Sequence, residues 1–153
     1  MAALTNEPIA KAEMLIRKPV EEVFQAFIDP AITSKFWFTK GSGVLEPGKT
    51  VHWEWEMYGA AADIAVKAIE ENKRILIDLG YTVEWIFTSR ADNETFVTIT
   101  SSGFAGDAVQ KAEQAVDAMG GFTMVLCGLK ALLEHGILLN LVYDKAPDAH
   151  VKR

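Results

Sequence analysis

The chain has 153 residues, half of them apolar, and its 15 basic and 21 acidic side chains give a formal net charge of −6. That length and apolar content suit one domain over 1–153 with one well-filled core. The acidic balance, with Lys and Arg nowhere clustered, argues against nucleic acid and anionic membrane surfaces as partners, and no continuous apolar run reads as long enough for stable membrane insertion.

Met1-Ala2-Ala3-Leu4-Thr5-Asn6-Glu7 lacks a basic region followed by an apolar block, so no secretory signal is expected. Cys127 is the single cysteine, which allows no intramolecular disulfide and fits a cytoplasmic location.

Ile9 to Arg17 alternates, with Ala10, Ala12, Met14 and Ile16 on one side, the pattern of a strand with one buried face. Pro19 pre-sets a helix carrying Val20, Val23, Phe24 and Phe27 at helical spacing. Asp29-Pro30 ends it and opens a second short helix, which runs into Phe36-Trp37-Phe38. Gly41-Ser42-Gly43 reads as a loop and Pro47-Gly48 as a turn. Thr50 to Tyr58 reads as a strand with Val51, Trp53, Trp55 and Met57 on one face and His52, Glu54 and Glu56 on the other. Four further β segments, about Ala61–Glu70, Arg74–Leu79, Thr82–Ser89 and Glu94–Ser102, are joined by connections short enough for an antiparallel meander.

From Gly106 the period changes to that of a helix of roughly thirty residues, ending at His135-Gly136. Val109, Ala112, Val116, Met119, Thr123, Leu126 and Leu133 trace the face expected to turn inward, and Gly120-Gly121 should weaken or bend the helix. Residues 137–153 form a tail, within which Leu141, Val142 and Tyr143 could add a short strand at a sheet edge. The fold class is therefore α+β. A curved antiparallel sheet of about six strands wraps a long C-terminal helix, and two short helices follow the first strand. A twisted sheet around one helix leaves a gap at its ends, a natural ligand site.

The sequence resembles the helix-grip, or START-like, superfamily, and within it the branch similar to the activator of heat-shock protein ATPase. The likeness runs from about Ile9 to Gly136. It is carried by Arg17 through Phe27, Asp29-Pro30, Phe36-Trp37, Pro47-Gly48 before an aromatic strand, Ile69 through Ile75, and Gly121-Phe122 with Leu129 through Glu134. The resemblance implies the helix-grip fold, on which lipid carriers, hormone receptors, polyketide cyclases and cochaperones are all built, so it does not choose among them.

Candidate cavity residues are Trp53, Trp55 and Met57 from one strand, Trp85 and Phe87 from another, Trp37 at the mouth, and Met119, Phe122, Thr123 and Leu126 on the helix. Each could equally be core, although a buried indole N–H calls for a partner. Strand parity sends His52, Glu54, Glu56, Asp78 and Glu84 outward and leaves Asp63 undecided, so no catalytic residue is assigned. His52, His135, His150 and Cys127 share no metal-ligand spacing, and Gly41-Ser42-Gly43 lacks the strand–loop–helix setting of a phosphate loop, so neither metal nor cofactor is expected. The expected function is binding of a small hydrophobic or aromatic ligand. A cyclase or dehydratase using the same cavity, and a chaperone-associated module implied by the resemblance, are the alternatives. A homodimer is also compatible with the open sheet edges.

Overall fold

The computed structural model describes residues 7–152. Strand β1 (Ala10–Ile16) is followed by helices α1 (Val20–Ile28) and α2 (Pro30–Thr33), then by β2 (Lys40–Gly41), β3 (Thr50–Trp55), β4 (Ala60–Glu70), β5 (Arg74–Asp78), β6 (Thr82–Ala91) and β7 (Glu94–Ser102). The long helix α3 (Ala108–His135), a single turn α4 (Leu141–Asp144) and a short 3₁₀ turn at Pro147–Ala149 follow. The seven strands lie in the order β1-β7-β6-β5-β4-β3-β2, antiparallel throughout. The α+β class and the order of elements are as the sequence implies. The additional strand is β2, whose Lys40 and Gly41 pair with Glu54 and Trp53 where a loop was expected.

The chemistry that sets the element ends is visible locally. Asp29 accepts from the Ala31 N–H at 2.9 Å, with Pro30 opening the turn that follows. At the start of α3, Asp107 accepts from the Gln110 N–H at 2.8 Å and Gln110 accepts from the Asp107 N–H at 2.9 Å, a complete capping box. Gly136, with φ 65°, ends α3 in the left-handed conformation that glycine adopts without strain.

Helix α3 runs along the edge strand β1. Lys111 pairs with Glu7 at one end, the Lys130 ammonium donates to the Leu15 carbonyl at 2.7 Å, and the Arg17 N–H donates to Glu134 at 2.9 Å. The lengths agree: nineteen helical residues rise about 28 Å and eight extended residues about 27 Å. Side chains of α3 thus meet the Leu15 carbonyl of β1 and the Arg17 N–H just past its end, along what would otherwise be an open edge. The other edge is only the two residues of β2.

The core lies between the inner sheet face, α1 and α3. Phe27 meets Phe36 edge-to-face at 5.5 Å and Trp85 at 5.6 Å, and Phe24 meets Phe87 at 5.3 Å.

Four expectations are corrected. Strand β3 stops at Trp55, because residues 56–59 must turn into β4, and they do so through a 3₁₀ turn closed by Gly59 at φ 61°. Met57 therefore leaves the strand face it was assigned to. Helix α3 presents Ala118, Phe122, Val125, Leu126 and Leu129 to the core, while Val109, Val116 and Met119 are 66%, 75% and 53% exposed, and Ala112 and Thr123 also face out. Both stripes have helical spacing, so period alone cannot choose between them. The segment Leu141–Asp144 is a helical turn against α3, not an added strand. Finally, α3 is long and apolar enough to cross a membrane by length and composition, contrary to the expectation that no segment qualifies. In this fold its inner face belongs to the core.

Candidate ligand cavity

An open cleft of about 570 Å³ lies where α3, the end of the sheet and the C-terminal tail meet. Its size falls in the range of small-molecule sites. Trp55, Leu79 and Tyr81 line it from the sheet, Ala118, Gly121, Phe122 and Val125 from α3, and Trp37 from the segment after α2. The tail supplies the outer wall with Val142, Lys145, Ala146 and Ala149.

That wall is fastened at both ends. The Tyr58 hydroxyl donates to the Val142 carbonyl, and the Val151 N–H donates to the Met57 carbonyl at 2.9 Å. Between them, His150 lies 4.3 Å from the Tyr143 ring and 5.3 Å from the Tyr58 ring, centroid to centroid.

Of the residues considered for a ligand site, Trp37, Trp55 and Phe122 lie along this cleft. Trp37 is the junction, with centroids 4.8 Å from Trp53, 6.2 Å from Trp55, 5.5 Å from Phe122 and 6.0 Å from Trp85. Trp53, Trp85, Phe87 and Leu126 are core residues behind that layer, buried away from the opening. Trp53 stacks on Phe38 at 4.7 Å. Met57 borders a separate depression beside Thr39 and Tyr143. Met119 and Thr123 lie on the outer face of α3, where the Thr123 hydroxyl donates to the Met119 carbonyl at 2.7 Å.

Leu79, Tyr81 and the tail were not anticipated. Leu79 and Tyr81 flank Gly80 in the β5–β6 connection, and an aromatic side chain in so tight a turn is the one sequence signal that points to them. The expectation that a buried indole finds a hydrogen-bond partner fails for Trp85, whose Nε1–H has none among the described residues; the Ser101 hydroxyl is likewise unpartnered. Neither borders the cavity.

Polar groups gather at the mouth. The Lys145 ammonium stands 3.9 Å from the Asp117 carboxylate. Burial pushes the Tyr81 phenol above its ordinary range, and the Asp117 charge adds to the shift. The acids considered for catalysis are elsewhere. Asp63 pairs with His52 at 2.8 Å on the outer sheet face, Glu84 pairs with Arg74 at 2.6 Å, and Asp78 accepts from the Gly80 N–H at 2.8 Å. No group of three or more His, Cys, Asp or Glu able to hold a metal occurs among the described residues. The arrangement is an open, mostly apolar cleft with a few polar groups at its rim.

Comparison with known proteins places this geometry. Residues 17–134 match the model of the family described as Activator of Hsp90 ATPase homolog 1-like protein. A crystal structure of a Staphylococcus saprophyticus protein is 31% identical, with a TM-score of 0.77 over 86% of this chain and 96% of that one. The DynU16 protein of the dynemicin biosynthetic locus is 21% identical, with a TM-score of 0.73 over 85% of this chain and 48% of its own. The Aha1 dimer of Colwellia psychrerythraea, solved in solution, is 20% identical, with a TM-score of 0.72 over 84% of this chain and 98% of that one. The last two share the fold. No match was found among the curated proteins.

Proposed function

The chain belongs to the family of Activator of Hsp90 ATPase homolog 1-like proteins, and from that premise we propose that it binds a small hydrophobic or aromatic ligand, in the cytoplasm, in the cavity between sheet, α3 and tail. The observation that carries the reading is the cleft of about 570 Å³ lined by Trp37, Trp55 and Phe122.

Gly121 offers a direct test. It lines the cavity, and a Cβ built there meets nothing within 4 Å, so Gly121→Leu fills the cleft from the helix side without a backbone clash. Native mass spectrometry of protein from its own host should show a copurifying small molecule, and naphthalene should bind saturably to the purified protein. Both should be lost in Gly121→Leu. Unchanged binding in that variant would place the ligand elsewhere.

A homodimer is a second reading, supported by the exposed stripe Val109, Val116 and Met119 on α3 and by the dimeric relative. With one sheet edge covered by α3 and the other only two residues long, the helix face suits a second copy better than an edge strand does. Sedimentation should show a dimer that Val116→Lys converts to a monomer; an unchanged sedimentation coefficient would exclude this face.

A further inference from the structure

Three elements bring their polar groups to one place at the cavity mouth: Tyr81 from the β5–β6 turn, Asp117 from α3 and Lys145 from the tail. Resting on the cavity reading above, we propose that this mouth selects ligands whose apolar body ends in an uncharged hydrogen-bonding head, such as a carboxamide, ketone or alcohol, over ligands ending in an ion.

The argument starts from charge. Asp117 and Lys145 are opposite in sign and 3.9 Å apart, so an ionic head close to both gains from one and is repelled by the other. It also loses part of its hydration as it enters, and with no unopposed counter-charge the loss is not recovered. A neutral head escapes both effects. A carbonyl can accept from the Tyr81 hydroxyl, which stands partly buried on the cleft wall near the Asp117 charge. It can also accept from Lys145, and an amide N–H or an alcohol can donate to Asp117.

The geometry is held by a further contact along the same cleft. The Tyr58 hydroxyl is already committed to the Val142 carbonyl, and that bond fixes the turn of tail that carries Lys145 to Asp117. Tyr58 is thus a positioning residue, while Tyr81, Asp117 and Lys145 are the groups that would meet the head.

Four probes of one body separate the possibilities: naphthalene, 2-naphthamide, 2-naphthoate and 2-naphthylmethylammonium, each titrated by calorimetry against the full chain. The amide should bind about three- to tenfold more tightly than either ion, and more tightly than naphthalene itself. Asp117 and Lys145 have side chains 83% and 45% exposed, so neutralising them should leave the fold intact, as circular dichroism can verify. Asp117→Asn leaves Lys145 unopposed and should move the preference toward the naphthoate, and Lys145→Met should move it toward the ammonium. Equal binding of all four probes, a preference of the native chain for an ion, or variants that leave the order unchanged would overturn head selection while the cavity reading stands. Binding of none of them would remove the cavity reading and this inference with it.

Discussion

Trp53 and Trp55 stand two residues apart on β3, yet alanine at the two positions should have different consequences. The Trp53 indole is 2% exposed, stacked on Phe38 at 4.7 Å and edge-on to Trp37 at 4.8 Å. An indole buries on the order of 200 Å², about 5 kcal/mol at 25 cal/mol per Å², and each aromatic pair adds about 1 kcal/mol. Alanine keeps part of the transfer energy and the neighbours relax, so a loss of about 4 kcal/mol is expected for Trp53→Ala. That is a large share of a total stability of about 5–15 kcal/mol. With a slope of about 2 kcal/mol per molar urea, the unfolding midpoint should fall by about 2 M. Trp55 is only partly buried and borders the cavity, so Trp55→Ala should cost about 1–2 kcal/mol but weaken naphthalene binding about five- to tenfold. Urea denaturation followed by circular dichroism, with calorimetric titration of each variant that stays folded, reads both effects. A midpoint change below about 0.5 M for Trp53→Ala would refute its place in the core. Unaltered naphthalene affinity in Trp55→Ala would refute the assignment of the cavity as the binding site.

Two further outcomes follow from α3. A Cβ at Gly120 meets nothing within 4 Å and the position is exposed, so Gly120→Ala should stabilise the protein by about 1 kcal/mol and raise Tm by about 2–4 °C in a scanning experiment; a fall would mean that the helix needs glycine's freedom there. Burial raises the Glu134 carboxyl, but the Arg17 N–H and the Lys130 ammonium outweigh it and hold the group below its ordinary range. A lowered folded pKa contributes stability above the unfolded value of about 4.3, and that stability is lost as pH falls through the folded value. Urea midpoints of the native chain and Glu134→Gln should therefore differ at neutral pH and converge in acid, and a difference independent of pH would exclude the ionised contact as its source.

Much of the framework was legible because it is written in local periodicity. The two-residue alternation of Thr82–Ser89 and Glu94–Ser102 admits one buried face, and in the structure Val83, Trp85 and Phe87 are buried, as are Val97, Ile99 and Ser101. The Asp29-Pro30 start and the glycine stop at Gly136 depend only on neighbouring backbone, so they too could be read directly. Strand parity placed Glu84 and Asp78 outside for the same reason.

The cavity was only half legible. Trp37, Trp55 and Phe122 carry the apolar, aromatic signal of a wall, but so do Trp53 and Trp85, and composition cannot say which indole reaches the opening and which stands a layer behind it. On α3 the stripe through Val109, Val116 and Met119 is as periodic as the buried one through Ala118, Phe122 and Val125, and the choice depends on how the helix is rotated against β1. The bonds from Lys130 to Leu15 and from Arg17 to Glu134 join residues more than a hundred positions apart, and no local pattern encodes them. The tail is the extreme case: with little periodicity of its own, it becomes a wall because the Tyr58 hydroxyl and the Met57 carbonyl are placed to receive it. The amino-acid sequence determined where the chain is extended, where it is helical and which face of each strand is apolar, since those are properties of neighbouring residues. Tertiary structure alone decided the rotation of α3, the docking of the tail and hence the meeting of Tyr81, Asp117 and Lys145, since these follow from packing between distant segments.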